Sequence, residues 1–175
     1  MQRSWTPTYR LATATAVLLA LGCGDGTGPS APPAFTTSTS SYTLQVFNGV
    51  PQVVISYTFL NEGGELAALQ GCSGNAGVAW WLEKQVGGGW KQAYPALCEP
   101  NPDSGVPVAA GGQYSATATI RDGEPGSPTP RISERPVAGT YRLRFGLFER
   151  VNLQTGVGFR VTDGRQYSNT FTLQD

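Results

Sequence analysis

This 175-residue chain has no histidine, which leaves its carboxylates and thiols as the groups to consider first for chemistry. That absence removes the Ser-His-Asp and Cys-His nucleophile systems, imidazole ligands for a metal, and the side chain that ordinarily exchanges a proton near neutral pH. Glu62, Glu65, Glu83, Glu99, Asp103, Asp122, Glu124 and Glu149 remain as acids, and a glycosidase needs only two such groups at a set separation. Spacing singles out no two of them, and isolated acids beside turns are ordinarily solvated surface. Asp122-Gly123-Glu124 offers oxygen ligands for calcium but falls well short of a calcium loop, so it reads as a turn. Cys23, Cys72 and Cys98 form no CxxC pair, and without histidine no mixed zinc site is available. The expectation is a chain with no catalytic residue, no metal and no cofactor.

The twelve basic and twelve acidic residues cancel and are scattered singly. With no basic run to follow a phosphate backbone, nucleic acid is not expected as a partner. Arg3 and Arg10 bracket the start of an uncharged apolar stretch, residues 11–21. Its length suits the core of a secretory signal and is well short of the roughly 20 residues that span a bilayer, an uncleaved anchor being the alternative.

Leu19-Ala20-Leu21-Gly22-Cys23 resembles the lipobox of bacterial lipoproteins. The resemblance implies a signal peptide over residues 1–22, cleavage before Cys23, and a diacylglycerol thioether on Cys23 that moors the chain to a membrane. Each buried methylene contributes roughly 0.8 kcal/mol, and more than one acyl chain makes the anchoring stable. Gly24, where Asp would retain the protein, resembles lipoproteins sent on to the outer membrane, facing the periplasm or the cell surface. With Cys23 acylated, Cys72 and Cys98 remain as a disulfide pair in an oxidising compartment, two buried free thiols being the alternative. Residues 23–34 follow as lipidated cysteine and flexible linker, GDGTGPSAPPA, whose r.m.s. span is roughly 18 Å. The folded domain is expected over residues 35–175.

From Phe35 onward the apolar period is two. Val53, Ile55, Tyr57 and Phe59 alternate with smaller or polar residues, as do Tyr114, Ala116, Ala118 and Ile120, then Tyr141, Leu143, Phe145 and Leu147, and more weakly Tyr167, Phe171 and Leu173. Such alternation marks half-buried strands, and no window offers an amphipathic helix. About seven to eight short strands joined by Gly-rich turns predict an all-β antiparallel sandwich or barrel. Gly139-Thr140-Tyr141-Arg142-Leu143 resembles the tyrosine corner of immunoglobulin-like domains, where a tyrosine at the start of a strand returns its hydroxyl to the preceding backbone. Together with the lipobox, the "YTFLNEGG" strand and turn and the closing "YSNTFTL", it gives a layout similar to small immunoglobulin-like lipoproteins of bacterial envelopes. That resemblance implies location and a β-sandwich, and little chemistry.

Two stretches stand out as candidate binding surfaces. Gly87-Gly88-Gly89 joins two aromatic strands. A three-residue turn there pairs Val86 with Trp90 and Leu82 with Tyr94, placing Trp80, Leu82, Val86, Trp90 and Tyr94 on one core face. Trp81 then points the other way, as an anchor for a protein or glycan ligand or as a ring packed under a loop. The second stretch is DGEPGSPTPRISERP, residues 122–136, stiffened by prolines and carrying Arg131, Glu134 and Arg135. It reads as a binding loop or as a disordered strand connection. Three functions follow: a non-catalytic envelope module that binds a protein or glycan partner, a proteinase inhibitor that presents an extended loop, and a carboxylate-dependent glycan-active enzyme. The first is preferred.

Overall fold

The computed structural model describes residues 33–175, apart from residues 76 and 153. The expected signal peptide, Cys23 and most of the expected linker lie outside the described residues. What is described is all-β: thirteen strands and two short 3₁₀ turns. The strands are β1 (Phe35–Thr37), β2 (Ser41–Thr43), β3 (Gln45–Phe47), β4 (Val50–Leu60), β5 (Ala67–Cys72), β6 (Trp80–Val86) and β7 (Gly89–Tyr94). They continue as β8 (Pro100–Val108), β9 (Gln113–Arg121), β10 (Gly139–Phe145), β11 (Leu147–Asn152), β12 (Val157–Arg160) and β13 (Phe171–Gln174).

They form three sheets. In the first, β4 pairs with β9 along one edge and with β1 and β3 along the other. The second has the order β2-β13-β10-β6-β7, antiparallel throughout except where β2 runs parallel to β13. The third has the order β12-β11-β5-β8. The amino-terminal segment therefore leaves the first sheet after β1 and joins the edge of the second as β2.

The period-two pattern is what builds the core. Val53, Ile55, Tyr57 and Phe59 of β4 are buried, with Ala118 and Ile120 beside them on β9; Leu82, Tyr141, Leu143, Phe145, Phe171 and Leu173 face them from the second sheet. Phe35 stacks on Phe145 at 3.9 Å between ring centroids and lies 4.8 Å from Phe59, so the first strand locks the two sheets together where the chain enters the domain. Burying a side chain of this size contributes roughly 1.5–3 kcal/mol. The Tyr141 hydroxyl donates to the Val137 carbonyl at 2.5 Å, which is the backward-reaching bond expected of this tyrosine. Burial pushes its pKa up to about 12, because the ionised phenolate loses its water.

The third sheet exceeds the expected strand number. It is built from chain between the long strands: β5 lies between β4 and β6, β8 between β7 and β9, and β11 with β12 between β10 and β13. Cys72, the last residue of β5, is joined to Cys98, two residues before β8, in a disulfide with Cα atoms 5.5 Å apart. The bond fastens the start of the β5–β8 pairing, where Cys72 lies opposite Pro100.

Candidate functional site

The outer face of the second sheet carries a connected set of polar and aromatic contacts. It is positioned by the β6–β7 hairpin and by β10. The hairpin turn has two residues, Gly87 and Gly88, with φ of +60° and +82°. Left-handed torsions at both central positions define the type I′ turn, whose twist matches that of the flanking strands, and glycine adopts them without strain. The register follows: Val86 pairs with Gly89, Gln85 with Trp90, Lys84 with Lys91 and Glu83 with Gln92, before a bulge restores Leu82 opposite Tyr94.

This register corrects the expected placement of Trp90. It sits opposite Gln85, on the outer face, and is not with Leu82 and Tyr94 in the core. The reason is the turn, one residue shorter than the three-glycine reading, which flips every β7 side chain up to the bulge. Trp80, Leu82 and Tyr94 do share the inner face, and Trp80 stacks on Tyr94 at 6.2 Å between centroids. Trp81 points outward, as expected, and is half-buried.

Across the sheet, Glu83 lies opposite Arg142 and Trp81 opposite Arg144. The Arg142 guanidinium is sandwiched between the Trp90 ring at 4.2 Å and the Tyr167 ring at 3.5 Å. The Arg144 guanidinium lies 4.7 Å from the centre of the Trp81 ring. One carboxylate serves both cations. Glu83 Oε2 accepts from Arg142 Nε at 2.9 Å and lies 2.8 Å from Arg142 Nη2, while Oε1 lies 3.2 Å from Arg144 Nε. That last contact is an ion pair without hydrogen-bond alignment, and Arg144 Nε, buried, has no hydrogen-bond partner. Arg144 Nη2 donates to Gln92 Oε1 at 3.3 Å. The result is a ladder of three rings, two guanidiniums and one carboxylate, attractive through cation–π contact and charge.

The other candidates lie elsewhere. Arg135, Arg131 and Glu134 stand on the 122–136 loop, beyond the far end of β9, and the structure does not bring them to Trp81. The loop itself packs back against the domain. Asp122 clasps it: Oδ1 accepts from the Ile132 amide at 3.1 Å and from Arg135 Nη2 at 2.7 Å, and Oδ2 accepts from Arg135 Nη1 at 2.8 Å. This hydrogen-bonded pairing holds the Arg135 guanidinium above its ordinary pKa. Ile132 is buried, and the Ser133 amide donates to the Ala93 carbonyl at 2.8 Å, sealing that part of the β7 edge. The tip is a turn: Ser127 N–H donates to Glu124 O at 3.0 Å, and Gly126 at φ +83° follows Pro125, the Pro-Gly signature of a type II turn. Gly123 is required at the base, since a Cβ there would lie 2.4 Å from the Thr129 carbonyl oxygen. Arg131 is exposed, Glu134 half-buried, and Arg135 borders a cleft of about 430 Å³ lined by Leu44, Val46, Pro51, Pro136 and Val137.

Four of the eight carboxylates considered for catalysis are tied to arginines: Glu83 as above, Asp122 to Arg135, Glu65 to Arg150 and Glu149 to Arg165. Among the described residues no group of three or more Cys, Asp or Glu side chains is arranged to hold a metal ion. The sequence pattern marks none of Arg142, Arg144 and Tyr167 as a site residue, and it puts Trp90 in the core. The signal for the arginines was present, as they fill the polar positions between the buried Tyr141, Leu143 and Phe145. What joins them to Glu83 and Trp81 is strand pairing across nearly sixty positions of sequence, which no local pattern encodes.

No protein-family profile matches the chain, and no curated protein matches it. Among solved structures, the Northeast Structural Genomics Consortium target SoR45 is similar over 82% of this chain and 88% of its own, at 12% identity and a TM-score of 0.42. The alkylpurine DNA glycosylase AlkC of Pseudomonas fluorescens, bound to DNA containing an abasic site analog, is similar over 83% of this chain and 32% of its own, at 11% identity and a TM-score of 0.37.

Proposed function

We propose that this chain is a non-catalytic, lipid-anchored module of the bacterial cell envelope, an immunoglobulin-like sandwich that holds a protein or glycan partner on the outer face of its five-stranded sheet. The immunoglobulin-like reading draws support from the strand order. One sheet centres on β4 and β9 and the other runs β2-β13-β10-β6-β7, with the first part of the chain switching sheets and the Tyr141 hydroxyl returning to Val137. The third sheet is then an insertion into the loops of that sandwich. Export and anchoring rest on the apolar stretch at 11–21 and on Cys23 in its lipobox-like setting.

The observation that carries the binding reading is the ladder itself. Tryptophan and arginine are the residues most enriched where binding energy concentrates, and here two of each, with Tyr167, cover one sheet face. The inhibitor reading needs a segment held extended, whereas the tip of the 122–136 loop folds back on itself at Pro125-Gly126. The enzyme reading needs carboxylates free for proton transfer, and four of the candidates are engaged by arginines.

A photo-crosslinking residue at Gln85, exposed on the ladder face, is compared in living cells with one at Thr117, exposed on the first sheet. The reading expects a discrete adduct from position 85 and none from position 117. Equal labelling from both positions, or none from position 85, contradicts it. For the anchor, Cys23→Ser is expected to move the protein from the membrane fraction to the soluble fraction; a variant still retained after a detergent-free wash argues against acylation.

A further inference from the structure

We infer that Arg144 is the contact point for a carboxylate on an acidic segment of a partner protein. The inference deepens the binding reading above and rests on it. On the outer face two guanidiniums share a single carboxylate, so the cluster Glu83–Arg142–Arg144 keeps one net positive charge. The two arginines are not equally provided for. Arg142 is enclosed by two rings and bonded through Nε and Nη2 to Glu83 Oε2. Arg144 has one ring beside it, a weak bond to Gln92 at 3.3 Å, and a buried Nε that lies 3.2 Å from Glu83 Oε1 without hydrogen-bond alignment. Its side chain is 28% exposed against 18% for Arg142. An arginine partly desolvated on a tryptophan and only weakly bonded at Nη2 suits a planar carboxylate that takes two N–H groups at once.

The rings favour protein over glycan as the source of that carboxylate. Sugars bind tryptophan by stacking on an open ring face, and Trp81, Trp90 and Tyr167 each have a guanidinium against one face, at 4.7, 4.2 and 3.5 Å from the ring centre. One face of each ring is therefore taken by a cation, and the net positive charge left on the ladder suits a carboxylate of a polypeptide.

The test uses the natural tryptophan fluorescence of the full chain, to which Trp81 and Trp90 of the ladder contribute, titrated at low salt with poly-L-glutamate and, in parallel, with polygalacturonate. Saturable binding of poly-L-glutamate is expected, weakened at least tenfold by Arg144→Gln, less by Arg144→Lys, and strengthened severalfold by Glu83→Gln, which removes a negative charge. Each variant is first shown to keep the wild-type near-ultraviolet dichroism. Binding that survives Arg144→Gln, or polygalacturonate bound as well as or better than poly-L-glutamate, overturns the inference. So does a failure of the wild type to bind poly-L-glutamate. A position-85 adduct obtained alongside that failure leaves the module reading standing and removes only the carboxylate.

Discussion

Two arginine–carboxylate clusters, at Asp122 and at Glu83, look alike in composition and differ in how their charges are used. At Asp122 one carboxylate meets one guanidinium in a two-pronged bond, and its remaining capacity goes to the Ile132 amide. Every contact closes the 122–136 loop on itself, so charge and hydrogen bonds balance locally. At Glu83 one carboxylate meets two guanidiniums, and the excess is stabilised by aromatic rings on the outside of a sheet whose core is already complete. The first arrangement accounts for itself as a clasp. The second holds more charge than the fold requires, and that surplus is the physical basis for reading it as a binding surface.

The contrast predicts a ranked set of effects on stability. The largest belongs to neither cluster and sets the scale: Cys72→Ala removes the link across a 26-residue separation, costing about 3.5 kcal/mol on a chain-entropy reckoning, read from chemical denaturation. Next, Asp122→Ala unfastens the loop and leaves the Ile132 amide without its acceptor, costing about 2 kcal/mol and opening residues 124–131 to protease. If the loop stays resistant to cleavage in that variant, Asp122 is not the clasp. Smaller is Arg144→Gln, expected to cost within about 1 kcal/mol because its contacts lie at the partly wet edge of the face. A loss as large as that of Asp122→Ala would make the ladder structural and erase the contrast.

A separate effect of pH bears on the sandwich beneath both clusters. Tyr141 is neutral in the fold, and its folded pKa, about 12, lies above the ordinary value of 10.0. A raised folded value means that the stabilisation is fully present below pH 10 and is lost as pH rises toward 12. Burial raises Tyr57, Tyr94 and Tyr114 in the same direction. Alkaline titration followed by far-ultraviolet dichroism is expected to show unfolding across that window. Melting that is flat from pH 9 to 12 would contradict the buried placement of these phenols.

How much of this was legible in the sequence depends on the range of the interactions involved. The strands of the two main sheets were legible, because Val53 to Phe59 and Tyr141 to Phe145 alternate with the pleat, and Trp81 could be placed outward by counting from Leu82; the same alternation runs on to Leu147, which instead opens β11 of the third sheet. The Asn48-Gly49 hairpin, with φ of +49° and +77°, is an equally local signal that hydrophobic periodicity passes over. Trp90 was misplaced because three glycines do not say which two make the turn, and one residue reverses a strand face. The third sheet was hidden: β8 reads PNPDSGVPV, a loop by composition, and strand pairing tolerates those prolines because β8 lies at a sheet edge. The ladder needed β6, β7, β10 and the Tyr167 segment aligned together, and register between distant strands is set by tertiary packing.

The most direct test of the ladder's role is to measure one variant in two ways: thermal melting of Arg144→Gln in vitro, and its position-85 adduct in cells. A molecule that melts close to the wild type and yields little or no adduct is the predicted result. An adduct of wild-type intensity from the variant would contradict the claim that this face meets its partner through Arg144.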